Sequence, residues 1–317
     1  MTHILPGAPW LIAHRSMLGV NQPHKVTLNG QDYALWQNDR GEIFALNNVC
    51  PHMQAPLSNG WICKERDTIT CPFHALEFDG EGKLHREGKR DTQPFAQPLK
   101  LTVIGDCIWT YDDCKPRTGI PDIVKQIASE YDFVGIAGDK TIQGDFLSTW
   151  LINSDFNHQN GTHRQLFQIV QNHMTEFVKD GYWYKVKQES TRANNSVREL
   201  LSNPVLFAIP KILKSTVEYF FPSVLILYAE TGSGPFAQVV VQYPQQQNQT
   251  KIYELIFAKF KSAWIKPLLR QSMLKAIDVV VEQDSTAIET RYPYQPAKIR
   301  LPNEEVMMYA EKLYREW

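Results

Sequence analysis

Residues 9–109 run as short stretches of alternating apolar and polar side chains, cut by Gly, Pro, Asn and Asp turns. Among them are YALWQ (33–37), IFAL (43–46), LTVIG (101–105) and CIWTY (107–111). Period-two alternation predicts strands, and this many short ones predict a small all-β domain. DDCKPRTGIPD (112–122) concentrates charge, Pro and Gly and reads as a linker. Longer apolar runs follow at Tyr182–Val186, PSVLILYAE (222–230), AQVVVQY (237–243) and KIYELIFAKF (251–260). Three of these are consecutive, which predicts an antiparallel sheet. The intervening PQQQNQT (244–250) reads as a solvated hairpin loop. Helical spacing brackets the sheet near 145–160 and 266–290, and NEEVMMYAEKLYREW (303–317) forms a third helix. The chain therefore reads as α+β, a small all-β domain over 1–115 followed by a sheet-and-helix domain over 116–317. No internal repeat is visible.

Two of the helical stretches carry polar groups where an apolar face is expected. On a helix through GDFLSTWLINSDFNHQNGTHR (144–164), Leu147, Leu151, Asp155 and His158 share one face. His163 lies five residues beyond His158, off that face by about 140°. For both imidazoles to meet one metal the helix must distort or end between them, and Gly161 stands where that could happen. In KAIDVVVEQDSTAIETRYP, Ile277, Val280, Val281, Asp284 and Ile288 form one stripe, with Asp278, Glu282 and Glu289 to the side. A carboxylate in a buried stripe is costly unless paired or metal-bound. Two histidines and one carboxylate are the face that holds non-haem iron with positions open for dioxygen. The competing readings are a solvated helix end for the histidines and a salt bridge to a core Arg or Lys for Asp284.

Five cysteines make an odd number, and a chain this long needs no disulfide framework. Cys63, Cys107 and Cys114 read as free thiols. Cys50 and Cys71 differ, because His52 and His74 follow them closely in CPHMQAPLSNGWICKERDTITCPFH (50–74). Pro51 and Pro72 stiffen each stretch into a loop tip. Strand-like segments flank both loops, so adjacent hairpins could bring four ligands together. Three readings compete: coincidence, a structural zinc site, and a Rieske centre. Zinc pairs more often come as Cys-Cys and His-His. A Rieske [2Fe–2S] centre has two thiolates on one iron and two imidazoles on the other.

Composition narrows the setting. With 317 residues there is room for two domains, and 43% hydrophobic against 21% charged residues is a globular balance. A formal net charge of −1 leaves no basic excess to draw the chain to nucleic acid or an anionic membrane. The start of the chain lacks a basic, then apolar leader. VEYFFPSVLILYAE is too short to span a bilayer and contains Glu218 and Pro222. No transmembrane segment is expected, and the expected location is cytoplasmic.

Together the motifs resemble the Rieske non-haem iron oxygenases of the ring-hydroxylating α-subunit type. Cys50 and Cys71 match the thiolate ligands of that family's [2Fe–2S] cluster, and His52 and His74 the imidazoles. Asp155-x2-His158-x4-His163 resembles the family's iron motif, and Asp284 its third ligand. The chain departs from the pattern at Met53, where a basic residue is usual, and at Ala75-Leu76, where Gly-Trp is usual. Leu151 and Ile152 stand where the family often has an acid and an Asn. The resemblance implies a Rieske domain followed by a helix-grip, START-like antiparallel sheet on a long helix. It implies a [2Fe–2S] cluster, a mononuclear Fe(II) on His158, His163 and Asp284, and O2 as co-substrate. NAD(P)H would act through a separate ferredoxin or flavin-dependent reductase. Asp155 would pass the electron to the neighbouring subunit of a homotrimer. The substrate would be small and apolar or aromatic, and would be hydroxylated or oxidatively demethylated. Two rivals remain: a Rieske electron carrier or redox sensor whose second domain binds a lipophilic ligand, and a zinc-stabilised binding module.

Overall fold

A computed structural model describes residues 3–260, 265–292 and 298–317. The chain divides into two units, residues 1–120 with 245–247, and residues 121–244 with 248–317. In the first unit the alternating stretches form β1 (Trp10–His14), β2 (His24–Leu28), β3 (Gln31–Gln37), β4 (Ile43–Asn47), β5 (Trp61–Cys63) and β6 (Thr68–Thr70). They continue as β7 (Glu77–Phe78), β8 (Lys83–Arg86), β9 (Lys89–Pro94), β10 (Thr102–Ile104) and β11 (Cys107–Thr110). These strands make three small antiparallel sheets, ordered β1-β11-β10, β2-β3-β4 and β5-β6-β7-β8-β9. Trp36, Leu46, Leu57, Ile69 and Phe78 pack with Cys50 and Cys71 in one core cluster. The expected linker is tied down at its start. Asp112 is buried and accepts hydrogen bonds from Tyr33 Oη at 3.1 Å and Asn29 Nδ2 at 2.8 Å, so it belongs to the β unit.

The second unit contains α1 (Ile123–Glu130), β12 (Asp132–Ile142), α2 (Phe146–Ile152), α3 (Arg164–Phe167), β13 (Ile169–Asp180), β14 (Trp183–Arg192) and α4 (Val197–Ser202). Then come β15 (Ile212–Phe220), β16 (Val224–Thr231), β17 (Gly234–Gln246), β18 (Gln249–Ala258), α5 (Ile265–Glu289) and α6 (Glu305–Glu316). The seven strands form one sheet in the order β12-β18-β17-β16-β15-β14-β13. One face is buried by alternation: β14 turns Tyr184, Val186, Gln188, Ser190 and Arg192 inward and leaves Lys187 and Thr191 in solvent. The long helix α5 buries Met273, Ala276, Ile277, Val281, Asp284 and Ile288, close to the stripe expected from periodicity. Its outward acids clamp it to β12 and the residue just after it. Asp278 Oδ1 accepts the Gly138 N–H at 2.7 Å, Lys140 pairs with Glu282 at 2.8 Å, and Glu289 accepts the Gln143 N–H at 2.9 Å. Gly138 is required there, because its φ is +62° and an added Cβ would lie 2.5 Å from Val281 Cγ2.

Two expected elements differ. The helix expected over 145–160 stops at Ile152, because side chains take up its last carbonyls. Asn153 Nδ2 donates to Thr149 O at 2.9 Å and Ser154 Oγ to Trp150 O at 3.2 Å. Its buried face is Phe146, Thr149 and Trp150 rather than Leu147 and Leu151, which are half-buried. Trp150 wins that contest because its indole N–H also finds a buried partner, Tyr184 Oη, at 2.9 Å. The glutamine-rich hairpin loop is also shorter than expected. Strand pairing runs through Gln246 and resumes at Gln249, leaving a turn of Gln247 and Asn248. No helix among the described residues is long and apolar enough to cross a membrane.

Two candidate metal centres

The Cys50 and Cys71 loops close in the same way. Gln54 N–H donates to Cys50 O at 2.9 Å, and Ala75 N–H to Cys71 O at 3.1 Å. Each cysteine N–H then bonds five residues on, Cys50 to Ala55 O at 2.9 Å and Cys71 to Leu76 O at 2.8 Å. Gln54 and Ala75 both adopt the left-handed backbone, at φ +56° and +53°. Two equivalent loops thus face one another. Both sulfurs are buried and the two imidazoles are exposed, with ring centroids 4.7 Å apart. Burial pushes the Cys50 thiol up and the adjacent Cys71 adds to this, while the His52 and Met53 backbone N–H groups pull it back. Two inner sulfurs and two outer imidazoles are the donor set a Rieske cluster needs. Cys107 is a different kind of thiol: buried and beside Asp106, it is pushed up to about 12, and no histidine follows it closely in sequence.

The second centre lies between the α2–α3 connection and α5. His158 opens a short 3-10 turn, His158–Asn160, and His163 stands at the entry to α3. Gly161 and Thr162 both donate to His158 O, at 3.0 and 2.8 Å, and this reversal swings His163 back toward His158. His158 Nε2 and His163 Nε2 lie 3.2 Å apart. Asp284 Oδ1 is 3.1 Å from His163 Nε2 and 3.5 Å from His158 Nε2. Among the described residues these three form the group of His, Cys and acid side chains that could share one metal.

The other ring nitrogens are already spoken for. His158 Nδ1 donates to the Asp155 carbonyl, and His163 Nδ1 to Gln283 Oε1 at 2.7 Å. In the neutral rings both Nε2 atoms are then lone pairs, aimed at each other and at a buried carboxylate oxygen, Asp284 Oδ1, that has no hydrogen bond among the described residues. Such an arrangement calls for a cation. Ligands about 2.1 Å from one ion at right angles are about 3.0 Å apart, and the observed spacings are close to that. The residues present fit a bound metal. Burial lowers His158; at His163 burial is the largest single effect, but Asp284 and Gln283 together outweigh it and raise the imidazole.

Asp155 sits in the turn after α2, not on a helix face with His158. Its carbonyl orients His158, while its carboxylate Oδ1 accepts the Asn157 N–H at 2.8 Å. Two participants escaped the sequence reading. Gln283 orients His163, and Glu254 lies fully buried on β18, accepting from Gln238 Nε2 at 2.6 Å. Burial, with the Asp284 charge second, holds the Glu254 carboxyl well above the usual range. A signal was there to read: in KIYELIF, Glu254 takes the place of an apolar residue between the inward-facing Ile252 and Ile256.

A cavity of about 140 Å³ adjoins this centre, between the sheet and α5. Phe167, which lines it, packs edge-on against the His163 ring at 5.7 Å between centroids. Most of the wall is apolar: Ile169, Leu213, Leu227, Met273 and Ile277. A larger cleft of about 460 Å³ also touches the sheet; it is lined by the charged Lys187, Glu189, Lys214 and Glu230 and shares Gln188, Ser215, Ala229 and Phe236 with the cavity.

Residues 9–98 match the Rieske [2Fe-2S] domain family. Over 99% of both chains the fold superposes on the crystal structure of dicamba monooxygenase bound to dicamba, with a TM-score of 0.78 at 17% identity. The first unit therefore contains a Rieske [2Fe-2S] domain, and the chain shares its fold with dicamba monooxygenase. It is 29% identical over 192 residues to 4beta-methylsterol monooxygenase of Methylococcus capsulatus, covering 56% of this chain and 50% of that protein. It is also 29% identical over 133 residues to the oxygenase component of dicamba O-demethylase from Stenotrophomonas maltophilia, covering 40% and 39%. The matches span half or less of the length of these curated relatives.

Proposed function

We propose that this protein is a Rieske-type mono- or dioxygenase that hydroxylates or oxidatively demethylates a small apolar or aromatic substrate. Cys50, His52, Cys71 and His74 hold a [2Fe–2S] cluster in a domain spanning 1–115. His158, His163 and Asp284 hold a mononuclear iron in a catalytic domain spanning 116–317. When bound, the cluster relays single electrons and the mononuclear iron supplies dioxygen activation. The protein's own residues prepare that chemistry. The Asp155 carbonyl and Gln283 fix the two imidazoles so that both Nε2 lone pairs face the metal position. Asp284 contributes the one formal charge, and the apolar cavity beside Phe167 excludes water and holds the substrate. The Asp155 carboxylate serves electron passage between subunits of a homotrimer.

The observation that carries this reading is the convergence of two lone pairs and an unpaired buried carboxylate oxygen within 3.5 Å. An electron carrier with a lipophilic-ligand domain has no use for it. The related proteins are named as oxygenases or oxygenase components, which supports a separate reductase fed by NAD(P)H, and a cytoplasmic setting suits that supply. The test is single turnover. The iron-loaded protein is reduced chemically, then given dioxygen and a panel of monocyclic aromatic compounds and their methyl ethers. An oxygenated or demethylated product carrying label from 18O2, where oxygen is inserted, is expected. Reoxidation of the cluster without product from any compound would contradict the reading.

A further inference from the structure

The register of β14 and β15 sets Gln188 directly opposite Ser215. Directly opposed residues share a face of the sheet, and alternation turns both toward the cavity. Gln188 is 5% exposed and Ser215 6%, and both line the cavity. Gln188 Oε1 and Ser215 Oγ nevertheless have no hydrogen-bond partner among the described residues. Buried polar atoms are seldom left unpaired, and two neighbours left unpaired in a mostly apolar wall mark a place for a ligand's polar group. The geometry points to Gln188 and Ser215 as a clamp for the hydroxyl group of a neutral, single-ring substrate. This rests on the oxygenase reading for calling the ligand a substrate.

The chemistry of the pair selects the group. A hydroxyl donates its proton to Gln188 Oε1 and accepts from the Ser215 hydroxyl, which satisfies both atoms at once. An ether oxygen accepts but cannot donate, and a hydrocarbon does neither. A carboxylate would set a negative oxygen against the amide oxygen. Arg192 also lines the cavity, but its Nε and one terminal nitrogen hold Phe167 O at 2.7 Å and Ile209 O at 3.0 Å. The other terminal nitrogen holds Asn195 Oδ1 at 2.7 Å, so the guanidinium braces the wall. Gln188 and Ser215 also border the larger charged cleft, so size limits the part of the molecule on the apolar side: a cavity of about 150 Å³ accommodates benzene, and this one measures about 140 Å³.

The test is calorimetric binding of phenol, toluene, anisole and benzoate to the iron-loaded protein, its Ser215→Ala variant and its Gln188→Leu variant. Phenol is expected to bind at least tenfold tighter than toluene or anisole. Each variant should cut that preference severalfold while toluene binds as before, with the cluster absorption unchanged as a check on folding. Toluene binding as tightly as phenol in the parent protein would overturn the clamp, as would a preference that survives both substitutions. Benzoate binding tighter than phenol would overturn it in favour of an anion site, and no detectable phenol binding would overturn it outright. Single turnover separates the two readings. Phenol bound with the expected preference but never oxidised sinks the oxygenase, and product formed without hydroxyl preference sinks the clamp.

Discussion

Ala75 holds a left-handed backbone conformation, φ +53°, in the loop that presents His74. A side chain there costs about 1 kcal/mol that glycine avoids. Ala75→Gly should therefore raise the unfolding free energy by about 0.5–1 kcal/mol in chemical denaturation, leaving the cluster spectrum unchanged. Unchanged or lower stability would mean the loop is not strained. Asp155 offers a second residue-scale test, because its backbone orients His158 and its carboxylate does not. Asp155→Asn should keep full iron content, while cluster reoxidation in the presence of substrate and dioxygen slows at least tenfold. Loss of the mononuclear iron would make the carboxylate part of the metal site. For Glu254 the prediction concerns pH. An ordinary Glu ionises near 4.5, whereas the folded protein holds this proton to much higher pH. Its contribution to stability is full below that ordinary value and is lost as pH rises, because only the unfolded chain releases the proton freely. Glu254→Gln keeps an acceptor for Gln238 and removes the penalty. Its melting temperature should exceed the parent's by more at pH 8 than at pH 5, and an equal gap at both would contradict the buried acid.

At the scale of elements, what was legible in the sequence depended on whether the cause was local. The α5 stripe was legible because burial on a long helix follows the 3.6-residue period, so Asp284 stood apart from Asp278 and Glu282 before any fold was known. The paired cysteine loops were legible because Cys, Pro and His sit a few residues apart. The end of α2 was not, since it is decided by Asn153 and Ser154 side chains competing for helix carbonyls in a stretch whose apolar spacing still looks helical. The strands at the tip of the β17–β18 hairpin are polar, so apolar periodicity does not register them. Gln283, Gln188 and Ser215 gained their roles only from partners distant in sequence. The seat of α5 on β12 yields a further prediction. Gly138→Ala would force a Cβ against Val281 in a left-handed position. It should destabilise the protein by about 3 kcal/mol in denaturant unfolding. A near-neutral change would mean that α5 can slide away from the strand.

At the scale of the whole molecule, each unit carries one donor set of a different character. The first set combines buried sulfurs with exposed imidazoles; the second is enclosed and contains the unpaired oxygen of Asp284. The family resemblance was legible in about eight residues, and the similarity in fold extends over 99% of the chain although identity is only 17%. What the central claim requires is two separate iron centres in one chain, with Asp284 serving only one. The most direct measurement is iron content with visible absorption for the parent, Asp284→Ala and Glu282→Ala. Glu282 lies two residues away on the same helix and pairs with Lys140 in solvent. The parent should hold about three irons per chain, from two per Rieske cluster and one per mononuclear site. Asp284→Ala should fall to about two with the cluster spectrum intact, and Glu282→Ala should match the parent. A parent with two irons, or an Asp284→Ala protein that keeps three, would contradict the account.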